Sequence, residues 1–272
     1  MSSRSTIVGL VLGGVSACLG AGAVLIASPA LGAEFQTDDE GETRVAPAAG
    51  EAVGVGAFQP FTTSARSDTQ RALGFFQGGY DSARRGSVFQ AVAEVQVWGR
   101  LSLRGGGSYL GPTGQLQPDV GIKVDVLRQE RHGVDVAAAA GYEALGFNLT
   151  PAVVARAAIG RTMGQTRLTG NVGYGAGTRA GERFGDLRMA AMQQLSRDLH
   201  LGLDSRFRID LERDSDEPAG EPEWELAAGP MAALSLGRFV VSAAGGATAL
   251  RYRLVPDRRV GVYGLMGVGT IF

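Results

Sequence analysis

The segment LHLGLDSRFRIDL, residues 199–211, alternates almost without a break. Leu199, Leu201, Leu203, Phe207, Ile209 and Leu211 share one parity; His200, Asp204, Arg206, Arg208 and Asp210 share the other. Successive side chains of a strand point to opposite faces, so this period of two defines a strand with one apolar and one polar face. The pattern recurs. In 87–97, Phe89, Ala91, Ala93, Val95 and Val97 oppose Gln90, Glu94 and Gln96; in 119–128, Val120, Ile122, Val124 and Val126 oppose Asp119, Lys123 and Asp125. Twelve segments read this way: 72–80 (the weakest), 87–97, 101–110, 119–128, 133–143, 149–160, 165–175, 184–195, 199–211, 223–236, 238–250 and 259–272. Dropping the weakest and one partner would leave ten. No amphipathic helix interrupts them. Several exceed the ~5–6 residues usual for soluble sheets and match the ~9–11 that a tilted strand needs to cross a bilayer.

The connections carry a second signal. Those after the even segments are tight (WGR, QERH, RTMG, SRD and a turn at Gly237), and those after the odd segments are longer, reaching ERDSDEPAGEP at 212–222. Alternating short and long connections suit a meander closed into a barrel with two unlike ends. The expected fold is therefore all-β, an antiparallel up-and-down transmembrane β-barrel of about twelve strands over residues 72–272. A secreted β-domain would alternate too, with its apolar face turned inward; the sequence alone leaves the sidedness open.

The last segment, RVGVYGLMGVGTIF, alternates apolar residues up to a terminal aromatic. In this it resembles the C-terminal signal of bacterial outer-membrane β-barrel proteins, and the chain from 72 to 272 resembles that class in architecture. The resemblance implies that Phe272, Val268 and Met266, with Val262 and Val260 in the same outward row, form an assembly signal read by the barrel assembly machinery. It also implies contact with outer-membrane lipids.

Residues 1–33 read as a signal peptide: Arg4, an acid-free apolar run at 6–27, then small residues ending at Ala33. A retained anchor is one alternative, and a lipoprotein signal at VSAC with Cys18 lipidated is another. Cleavage near Ala33 would leave no cysteine, and so no disulfide, thiol nucleophile or cysteine-bound metal. Residues 34–71, acidic and then rich in Ala, Gly and Pro, read as a flexible lead-in. The formal net charge of −1 gives no basic face for nucleic acid, and 42 glycines without a three-residue period exclude collagen.

The candidate lumen-facing residues are Glu94, Arg104, Lys123, Asp125, Asp135, Arg156, Arg167, Asp186, Arg188, His200, Asp204, Arg206, Arg208, Asp210, Glu223 and Glu225. Their mixed signs fit either a salt-bridged, partly plugged interior or an open narrow pore. Loss of one such charge, for example Arg206, should be absorbed by water or neighbours. The reading is a structural or small-solute channel role, porin-like, in a Gram-negative envelope. The alternative is a barrel enzyme acting on envelope lipid or peptide. Only His132 and His200 could serve as bases, and only His200 shares a face with an acid, Asp204; Ser196 and Ser205 fall elsewhere, so no catalytic residue is assigned. No cofactor or metal is expected. GYGAGTRAG (173–181) reads as a hairpin end rather than a phosphate loop, because a strand and not a helix follows. The acidic run 212–222 reads as a solvated loop. Oligomeric state is open.

Overall fold

The computed structural model describes residues 72–111, 114–143, 151–177, 182–211, 222–252 and 258–271. The signal peptide, the lead-in, Cys18, most of the 212–222 loop and Phe272 lie outside the described residues. Twelve strands follow in order: β1 (Ala72–Asp81), β2 (Gly86–Trp98), β3 (Leu101–Leu110), β4 (Gln115–Leu127), β5 (Asp135–Glu143), β6 (Ala152–Met163), β7 (Thr166–Gly177), β8 (Arg183–Gln194), β9 (Leu199–Asp210), β10 (Trp224–Leu236), β11 (Phe239–Arg251) and β12 (Arg258–Ile271). Each pairs antiparallel with its sequence neighbours, and β1 pairs with β12 from Leu73↔Ile271 to Asp81↔Tyr263, closing the sheet. Closure leaves no edge strand.

Sidedness is settled by burial. Asp81, Asp119, Asp125, Asp204, Arg206 and Glu225 are all 2% exposed or less, whereas Val153, Val172, Val262 and Met266 are 60% exposed or more. A protein surrounded by water buries in the opposite sense. Apolar side chains outside and paired backbone throughout make a stable wall only against hydrocarbon. Among the described residues no helix is long and apolar enough to cross a membrane; the strands do the crossing. Exposed aromatics gather toward the two ends, with Tyr80, Phe89, Tyr109 and Tyr174 at one and Trp98 and Phe239 at the other, as interfacial girdles do. The fold is a twelve-stranded transmembrane β-barrel.

Three hairpins at one end close in two residues, 99–100, 164–165 and 237–238, each led by a glycine with φ of 51°, 58° and 65°. A Gly-X pair with positive φ at its first position is the type II′ turn, whose twist matches that of the strands it joins. Two expectations are corrected. The β4–β5 connection is not a tight turn: it runs from 128 to 134 and contains the single helical turn Gln129–His132, ended by Gly133 at φ 75° and fastened by the Gln129 N–H donating to Asp135 Oδ1 at 2.8 Å. And β4 begins at Gln115, before Pro118. Residues 115–119 pair with β3 but with no described residue of β5, and a proline is tolerated where one side of a strand needs no donor.

Candidate functional site: the barrel lumen

Inward positions are even on β2, β3, β6, β8, β9 and β11 and odd on the others, and every candidate lumen residue follows that parity. Lys123, Asp125, Asp135, Arg156, Asp186, Arg188, His200, Asp204, Arg206, Arg208 and Glu225 are buried. Glu94, Arg104, Arg167, Asp210 and Glu223 are partly exposed. The β12 row Val260, Val262, Met266 and Val268 faces outward and is exposed.

The wall from β5 to β10 carries a continuous charge network. Arg156 Nη2 donates to Glu143 Oε1 at 2.5 Å and lies 3.7 Å from Asp186 Oδ2. The register explains this reach, because Gly173 of β7 stands between Arg156 and Asp186 and contributes no side chain. Arg188 grips both oxygens of Asp186, with Nε at 2.9 Å from each. Next across the sheet, Asp186 faces Arg208, which faces Glu225, while the Arg208 guanidinium lies 3.8 Å from the centroid of the Phe184 ring. Burying such charges costs several kcal/mol each, to first order returned by their partners. The net gain is a rigid interior rather than large stability.

The β1–β4 side has its own set of contacts. A relay runs from Gln77 Nε2 to Gln90 Oε1 (2.7 Å), from Gln90 Nε2 to Asp119 Oδ2 (3.0 Å), and from Arg104 Nη2 to the same oxygen (3.3 Å). Lys123 Nζ pairs with Glu94 at 2.6 Å. Between this relay and the β5–β6 wall lies a small cavity of about 30 Å³, bounded by Glu94, Arg104, Asp119, Lys123, Glu143 and Arg156. Its floor is low because the row across β4 and β5 is Gly121 beside Gly141. Along β4 Lys123 lies nearer the short-turn end than Asp119 does, and Arg156 lies four residues along β6 from Ala152, the cross-strand partner of Glu143.

The interior is not uniformly polar. Leu73, Met192, Met231, Ala233 and Val240 cluster on the inner wall, with a second cluster of Val88, Ala227, Tyr263 and Leu265. The sequence reading also left Asp81, Asp119, Glu143 and Arg84 out of the lumen set. Parity with Lys123 and Asp125 marks Asp119, and parity with Asp135 marks Glu143. Nothing in the alternation marks Arg84, which belongs to a turn.

His200 and Asp204 share the inner face of β9 but stand four residues apart, about 13 Å at the usual rise per residue. Ser205 Oγ donates to the Met189 carbonyl at 3.2 Å, and Ser196 lies in a turn, accepting the Leu199 N–H. No nucleophile, base and acid converge here. Gly173–Gly177 belong to β7, and a strand follows at Arg183. Among the described residues no group of three or more His, Cys, Asp or Glu side chains is gathered to hold a metal.

No family model and no curated protein matches the chain. In fold it is similar to the NanC porin, with TM-score 0.53 at 9% identity, covering 73% of this chain and 100% of that one. It also aligns with the KdgM porin (TM-score 0.48, 6% identity, 74% and 99% covered) and with the translocator domain of the autotransporter NalP from Neisseria meningitidis (0.40, 15%, 74% and 88%). At these identities the likeness concerns the barrel fold.

Proposed function

We propose that this chain is a bacterial outer-membrane β-barrel that passes ions or small polar solutes along the inner wall of β2–β6. The carrying observation is the cavity over Gly121 and Gly141. Among the described residues it is a part of the lumen where small residues leave space, and it is bordered by both signs of charge, so a polar solute can exchange water for fixed charges without a large one-sided barrier. The likeness in fold to the NanC porin supports the same reading. The same reading includes export by the 1–33 segment, the longer connections facing the cell exterior, and the final strand with Phe272, Val268 and Met266 read by the assembly machinery.

Single-channel recording of the refolded protein in a planar bilayer tests the reading. Discrete conductance steps are expected, and Ala139→Trp, which fills the cavity from its β5 side, should reduce them at least about threefold by narrowing the path. Absence of steps in the parent protein would overturn the channel role. Unchanged steps in Ala139→Trp would place the path elsewhere in the lumen.

A further inference from the structure

The β1–β2 connection does not stand up from the barrel rim but folds inward. The Ser82 N–H donates to the Val262 carbonyl at 2.9 Å, and the Val262 N–H donates to Ser82 Oγ at 2.8 Å, tying the turn to β12. Asp81 Oδ1 accepts the N–H groups of Ala83 (2.8 Å) and Arg84 (3.2 Å), fixing the turn from below. Ala83 then lies directly on Gly261, where an added Cβ would come within 2.9 Å of the Ala83 Cβ, so the close approach requires the glycine. Arg85 closes the turn with φ 53°, a left-handed conformation that non-glycine residues adopt only at a steric cost. From there Arg84 reaches Glu225 on β10, and both side chains are 2% exposed. Glu225 is the cross-strand partner of Leu250 on β11, which is 0% exposed although it lies one residue from that strand's end and outside both apolar clusters.

We propose that the turn 82–85 is the constriction of this lumen, a strap laid across the inner wall of β12 and β11, and that Arg84, latched to Glu225, sets its bore and its charge selectivity. The inference rests on the channel reading for its consequence but not for its geometry. The strap occupies interior volume at the long-connection end, on the wall opposite the cavity, and so confines passage to the β2–β6 side. The latch neutralises Glu225, so that loss of the Arg84 guanidinium would leave an uncompensated acid in the wall of the bore.

The test uses the full chain with Cys18→Ser and two readouts. In the first, Leu250→Cys places a thiol beneath the strap, probed with a charged, water-soluble maleimide on the refolded protein. The thiol should be protected with Arg84 present and should react about tenfold faster or more with Arg84→Ala, opening being the limiting step. The swapped pair Arg84→Glu with Glu225→Arg should restore protection. Equal reactivity with and without Arg84 would overturn the strap. In the second, Arg84→Ala alone should raise single-channel conductance about twofold and move the reversal potential in a salt gradient toward cation preference. A conducting parent protein whose conductance and selectivity do not respond to Arg84→Ala would overturn the constriction while leaving the channel reading intact. If neither protein conducts, the channel reading fails, and the labelling result alone decides the strap.

Discussion

Two inward arginines on one barrel are not equivalent, because their surroundings differ in water. Arg188 is 4% exposed and holds Asp186 by three short contacts, so truncating it leaves a buried acid with only the longer Arg156 contact at 3.7 Å among the ion pairs described above. Arg104 reaches Asp119 by one contact at 3.3 Å, and its side chain is 24% exposed beside the cavity. Arg188→Ala is expected to cost about 3–5 kcal/mol, the range for breaking a buried pair, and Arg104→Ala under about 1 kcal/mol, as for a solvated pair. Urea titration of the barrel in detergent measures both, and equal losses would mean that the two halves of the lumen are equally dry. Arg206 is 1% exposed, so of the two expected means of absorbing its loss, water or neighbours, the burial favours the neighbours.

Elements were read from the sequence more successfully than connections. A strand spanning lipid must keep its parity for ten residues or more, and the expectation of twelve strands rests on that repeated signal; the closed sheet has twelve. Boundaries slipped where parity gives no information. Pro118 looked like a loop residue, yet β4 continues through it at a place where no described β5 residue needs its N–H. The QERH turn looked tight, yet it is wound into one helical turn. Inward apolar residues such as Met192 and Met231 were invisible for a related reason: alternation separates faces but assigns all apolar residues to the same one, and a packed lumen uses some of them inside. The strap was illegible because it depends on a contact between positions 84 and 225, 141 residues apart. The two-residue turns were the legible connections, and they carry a prediction. Gly237→Val places a β-branched residue at φ 65° and should cost about 1–2 kcal/mol. Arg238→Val, whose φ is not positive, should cost little. Equal shifts in the urea midpoint would argue against a glycine-specific turn.

At the scale of the whole molecule, the two ends differ in build, and that difference gives the barrel a direction. One end has hairpins closed in two residues at 99–100, 164–165 and 237–238, together with the exposed Trp98 and Phe239. The other end carries the longest connection, between Asp210 and Trp224. Outer-membrane barrels keep their short turns on the periplasmic side, where the chain arrives, and carry their longer loops outside. In the proposed outer-membrane setting, a cysteine placed at Asp216 should therefore react with an impermeant label on intact cells. Cysteines at Arg197 and Arg238 should react only after the envelope is opened. Because a closed sheet has no edge from which detergent can unzip it, the labelled protein should also run as a compact species in unheated gel samples and shift on boiling. Reaction at Arg197 on intact cells would invert the orientation without disturbing the barrel. Reaction at all three sites with no heat-dependent shift would mean that the apolar wall does not meet lipid, and would undo the assignment of the exposed Val262 and Met266 to a membrane face.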